Sequence, residues 1–281
     1  MTTTISGATL TPEPVDAPST PTASRRTDRP VPRPIPMSRL VAVEARKSFD
    51  TRSGLWLLAS IAILAVIATA ATIAFAPADQ LDYEAFATAI GFPMAVVLPV
   101  IAVLSVASEW SQRTGLTSFT LVPHRSRVIT AKLAVTLAVG VVSMLVAAAI
   151  GALGNVVGTA IRGTDTVWNV SATELAYIVL GNVLGMLVGF MLGVLVRNSA
   201  GAIVGYFVYG FVLPPLSMLL AANQQWFAKA QPWVDFNYAQ GNLFNGTMSG
   251  EQWSQLAVTG VFWLLVPLAV GLRLVLRSEV K

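Results

Sequence analysis

Beyond Pro36 the chain alternates long apolar runs with short polar ones. Six runs stand out: about Gly54 to Phe75, Phe86 to Ala107, Ile129 to Gly151, Leu175 to Val196, Ala200 to Leu220 and Leu256 to Leu276. At ~1.5 Å per helical residue, each can cross a hydrocarbon core of ~30 Å. Lipid offers no partner to a bare peptide N–H or C=O, so a spanning run must close its hydrogen bonds internally, as a helix. The period-two alternation of an outer-membrane barrel strand is absent. The pattern predicts an all-α membrane protein with six transmembrane helices.

Polar positions divide the rest. Residues 1–36 hold eight of the sixteen prolines, interleaved with Thr and Ser, and contain no apolar run. Such a segment cannot bury enough surface to offset its ordering entropy, and reads as a disordered tail. Residues 37–53, MSRLVAVEARKSFDTRS, carry Met37, Val41, Ala45 and Phe49 at four-residue spacing, with Arg39, Arg46 and Asp50 roughly opposite. That predicts an amphipathic helix lying along the inner leaflet. The expected layout is a tail over 1–36, an interfacial helix over 37–53 and a membrane domain over 54–281. Between the second and third runs, Ser108 to Lys132 forms a polar loop. There Gly115 permits a sharp reversal, and Leu116 to Val122 can make a short helix ended by Pro123.

Composition removes the soluble alternative. Charged residues are 11% of the chain and apolar residues 54%, with mean hydropathy +0.67. A soluble domain carries about 25% charged residues. The side on which the charges fall sets the topology. With both termini cytoplasmic, the inside from Met37 onward holds twelve Lys and Arg, and the outside loops hold two, Arg162 and Lys229. Basic residues favour the cytoplasmic side, so both termini are expected there, in a multi-pass protein of the cell (plasma or inner) membrane. The net charge of +4 reflects this bias and gives no reason to expect nucleic acid.

The ordered elements over residues 39–132 resemble a known family. Glu44 and Lys47 lie on the amphipathic helix, Thr51-Arg52-Ser53-Gly54 leads into the first span, and Glu109 ends the second. Arg113, Thr114 and Gly115 follow, then Leu121, Pro123, Arg125, Arg127 and Lys132. The combination is similar to the permease subunit of type-2 ATP-binding-cassette exporters, with the Gly-Thr pair of that pattern inverted here. The resemblance implies a six-span subunit working with a second permease copy and two copies of a separate ATPase, which binds the ATP and Mg. It also implies that Glu44, Lys47, Glu109, Arg113, Thr114, Gly115, Pro123, Arg125 and Arg127 meet the ATPase subunit.

Missing chemistry narrows the function. No GxxxxGK[ST] phosphate loop occurs, so this chain is not expected to hold ATP or to act as an enzyme by itself. The one histidine, His124, sits in a polar loop, and the absence of Cys rules out thiolate metal sites. No catalytic or metal-binding residue is therefore assigned. Acidic residues avoid the centres of the spans, which argues against ion coupling. Gly181, Gly185, Gly189 and Gly193 recur every four residues, giving the fourth span a bare face for close helix packing or for lining a transport path. Pro93, Pro99 and Pro214-Pro215 remove helix hydrogen bonds within the second and fifth spans. Residues 221–255 are aromatic-rich and suit the membrane boundary or a lid over an apolar substrate. The expected function is export of a hydrophobic or amphipathic substrate (drug, lipid or peptide). A stand-alone secondary transporter or channel, or a non-transporting interaction or immunity protein, is the alternative.

Overall fold

The computed structural model describes residues 35–111 and 125–277; within them, nothing is described of the side chains of Ser48, Ser53, Glu109, Ser111 and Arg125. The described residues contain helices and connecting turns, and no strand. Helix α1 is Met37–Asp50, α2 Arg52–Phe75, α3 Tyr83–Ser111, α4 Arg125–Arg162 and α5 Ala172–Val196. Helix α6 runs over Ser199–Asn223 and α9 over Gly250–Arg277, each interrupted by one π turn. Between them lie the short helices α7, Gln225–Val234, and α8, Phe236–Gly241. Six of these, α2 to α6 and α9, are long and apolar enough to cross a membrane.

Local chemistry explains the boundaries. A single residue, Thr51, separates α1 from α2. Its hydroxyl donates to the Lys47 carbonyl at 2.8 Å and accepts from the Gly54 amide at 3.1 Å, satisfying one orphan group of each helix end. Ser171 with Glu174, and Ser249 with Gln252, form capping boxes that start α5 and α9. Helix α5 ends at Arg197, which adopts the left-handed conformation (φ 54°), and Asn198 caps α6 at once. The reversal between these two helices thus takes two residues.

The spans differ in detail from the apolar runs. Helix α4 has 38 residues and so extends for about 57 Å, well past the run that ends at Gly151. Helix α3 stays one helix through Pro93 and Pro99. The π turns, Val208–Val212 and Val261–Leu265, lie just before Pro214-Pro215 and Pro267. Those prolines remove the amides that ordinary helical bonding would supply, and the wider turn accommodates the loss. Residues 221–255 fold back as α7 and α8, with Phe236 and Leu243 buried in the protein and Trp226 exposed.

Helices α3 and α5 form the most extensive pair, around a core of Met94, Leu98, Ala102 and Val106 against Met186, Phe190 and Val194. Helix α4 adds Met144 and Ala147, and α2 adds Ile61 and Ala65. The outer faces remain apolar, with Trp56, Phe75, Leu153 and Phe262 all exposed. In water such a surface would drive association, whereas hydrocarbon is its natural solvent.

Candidate functional site

Helix α1 is docked against α4 and α2. Among the described side chains of α1, Leu40 and Glu44 are buried, Met37, Val41 and Ala45 are half-buried, and Phe49 lies exposed at the far end of the expected stripe. Glu44 Oε2 accepts from Lys132 Nζ of α4 at 2.7 Å, and Glu44 Oε1 from Lys47 Nζ at 2.7 Å. Burial disfavours the ionised Glu44 carboxylate, but Lys132 first and Lys47 second outweigh it, and the carboxyl is held below its ordinary value. Lys132 is itself buried, and Lys47 is half exposed. The pair therefore fastens the end of a spanning helix to a helix outside the span by a charge-assisted hydrogen bond, beside the buried Leu40.

Of the residues that the resemblance assigns to an ATPase interface, Glu44 turns its carboxylate into its own chain, while Lys47 stays accessible beside it. Arg127 is half-buried on the first turn of α4. The backbones of Glu109, near the end of α3, and Arg125, at the start of α4, lie on either side of residues 112–124 in the chain. Arg113, Thr114, Gly115 and Pro123, and the short helix expected over 116–122, lie outside the described residues, as does the tail over 1–34. Lys132 belongs to the resemblance pattern but was not assigned to the interface, and its pairing with Glu44 was not foreseen. Its signal was a lone cation at the start of an apolar run, where an unpaired charge is costly.

The second region centres on Pro99. Its ring lacks the amide that would bond the Ala95 carbonyl, and the Tyr206 hydroxyl of α6 donates to that carbonyl at 2.9 Å. On the other side, α5 comes so close that a Cβ on Gly189 would lie 2.4 Å from the Pro99 carbonyl oxygen. Farther along, a Cβ on Gly193 would lie 3.1 Å from the Val103 carbonyl oxygen. Gly189 and Gly193 thus serve close backbone approach, and the proline joins three spans at one point. Gly185 and Gly181, one and two turns earlier, line a cavity, and a Cβ on Gly181 would lie 2.6 Å from the Phe244 ring.

That cavity, about 280 Å³, lies between α3, α5, α6 and α8. Its polar lining includes Asn182, Tyr209, Asn237 and Gln240, and its apolar lining Phe92, Phe211 and Phe244. Gln240 Nε2 donates to the Gly181 carbonyl at 2.7 Å, fixing α8 to α5. A second cleft of about 640 Å³ shares Phe92, Ala95 and Phe244 with the first, and reaches Glu84, Asn169 and Glu174 at the end of the bundle away from α1. Among the described residues no group of three or more His, Cys, Asp or Glu is placed to hold a metal ion.

A family model described as ABC-2 family transporter protein matches residues 41–213, more than half of the chain, from within α1 to within α6. No curated protein matches the chain.

Proposed function

The chain belongs to the ABC-2 transporter family, and on that premise we propose that it is the membrane-spanning permease subunit of an ATP-driven exporter of hydrophobic or amphipathic molecules. Two copies of this chain would work with two copies of a separate ATPase, which binds ATP and Mg. Both termini and α1 would face the cytoplasm, and the 163–171 connection the outside of the cell membrane.

The buried Glu44–Lys132 pair carries this reading. An amphipathic helix that merely lay on a leaflet would need no such bond. Here α1 is tied by a charge-assisted bond to a spanning helix, so a displacement imposed on α1 is delivered to α4. Thr51 gives the same displacement a one-residue pivot into α2. The loop after α3 supplies the second contact with the ATPase. Motion reaching α3 passes to α5 and α6 at Pro99, where Gly189 and Tyr206 meet it. ATP closure of the motor would then shift the bundle between states of different affinity for the cargo, which supplies direction.

The test is purification of the complete chain in mild detergent from its native host. A Walker-type ATPase is expected to accompany it, with hydrolysis in lipid vesicles stimulated by apolar cargo. Ion-gradient-driven uptake by the chain alone, with no ATPase bound, would overturn the reading.

A further inference from the structure

The two clefts beside α5 adjoin at Phe92, Ala95 and Phe244, and their linings differ in chemistry along the helix. Glu174, Ile178, Asn182 and Gly185 recur along one face of α5 and line them successively. Near Glu174 the second cleft carries two carboxylates, Glu84 and Glu174, and no Lys or Arg. Each makes limited use of its oxygens: Glu84 accepts from Asn169 Nδ2 at 3.2 Å, and Glu174 from the Ser171 amide at 2.6 Å. Two turns deeper the lining has no ionisable acid or base other than tyrosine. There Asn182, 3% exposed, donates through Nδ2 to the Ile178 carbonyl at 2.9 Å, and its Oδ1 has no partner among the described residues. A buried amide oxygen without a donor costs free energy that a ligand N–H or O–H would recover. Phe92 and Phe244, shared by both clefts, provide apolar faces between these ends.

We propose that these adjoining clefts bind a cationic amphiphile: a protonated amine held by Glu84 and Glu174, an apolar body between Phe92 and Phe244, and a neutral hydrogen-bond donor at Asn182. Eight residues of α5 separate Glu174 from Asn182, which sets about 12 Å between the ammonium and the donor. Aromatic faces favour the cation as it passes, and the absence of Lys and Arg removes repulsion. Calling this molecule the cargo rests on the export reading above; its binding does not.

The experiment uses the full chain in nanodiscs of zwitterionic phosphatidylcholine, with empty nanodiscs as the reference. The probe is mono-dansylated 1,8-diaminooctane, which joins an ammonium, an alkyl chain and a sulfonamide N–H. Its N-acetylated form is the uncharged counterpart. The amine is expected to bind at least about tenfold more tightly than the acetylated probe, since charge-assisted bonds are the stronger ones. Double substitution E84Q/E174Q is expected to erase that preference; glutamine retains the capping box of α5 and an acceptor for Asn169. N182L is expected to weaken both probes alike. Equal binding of the two probes, a preference that survives E84Q/E174Q, or an N182L protein that binds both as the parent does would overturn the proposal. No ATPase is present in the assay, so a negative result leaves the export reading standing, and absence of an ATPase partner leaves the binding result standing.

Discussion

Lys132 Nζ sits 2.7 Å from Glu44 Oε2 across 88 residues of chain, with both side chains buried where α1 meets the start of α4. Neither residue would tolerate that environment alone. E44A removes the carboxylate that both lysines bond and is expected to destabilise the protein by about 3–5 kcal/mol, whereas K132A leaves Glu44 its bond to Lys47 and is expected to cost less. Replacing both by apolar residues of similar volume, as in E44L/K132M, is expected to cost far less than the sum of the single changes. K47A, at a half-exposed position, is expected to cost no more than about 0.5 kcal/mol. Thermal unfolding of the four variants in one detergent checks all three expectations.

The same pair gives α1 a pH response. Glu44 has a folded pKa below its ordinary value of 4.5, so its contribution is fully present above that value. It declines as pH falls below 4.5 and through the lower folded pKa. Docking of α1 is therefore expected to be constant between about pH 8 and pH 5.5, and to loosen only in stronger acid. The sequence contains no Cys, which allows a spin-label pair on α1 and α4 to follow the distance. An E44Q chain is expected to lose this acid transition.

Gly189 faces backbone that cannot yield. G189A would place a methyl 2.4 Å from the Pro99 carbonyl oxygen and force α3 and α5 apart. The expected cost is about 1–3 kcal/mol. G91A meets nothing within 4 Å and is expected to be neutral or slightly stabilising. A thermal shift for both, or for neither, would contradict the close approach.

Tyr206 replaces the donor that Pro99 lacks. Y206F is expected to cost about 1–3 kcal/mol by leaving the Ala95 carbonyl unpaired. P99A restores a backbone amide to that carbonyl, so the cost of Y206F is expected to shrink markedly in a P99A chain. A double-mutant cycle that instead gives additive costs would mean that the hydroxyl acts elsewhere.

Orientation is open to a direct measurement. Asp165 and Asp50 are exposed near opposite ends of the bundle. In intact cells, D165C is expected to react with a membrane-impermeant maleimide, and D50C only after permeabilisation. The reverse pattern would invert the proposed topology.

Six spans were legible in sequence because lipid imposes one rule on every spanning segment: apolar outside and hydrogen-bonded within. Their length and composition do not depend on which neighbours they meet. Apolar periodicity likewise announced α1, and the four-residue glycine spacing marked one face of α5. Tertiary structure decided how those elements use their faces. The burial of Glu44 on α1 was not in the periodic pattern, because a buried carboxylate needs a cation and Lys132 lies in another helix. The glycine face divided, Gly189 and Gly193 taking backbone contacts while Gly181 and Gly185 opened onto a cavity. Pro99 spoke in sequence only of a lost hydrogen bond; that Tyr206 replaces it depends on a contact across 111 residues. Local pattern states what each segment requires of its solvent, and only packing determines which distant side chain meets each remaining charge, carbonyl and gap.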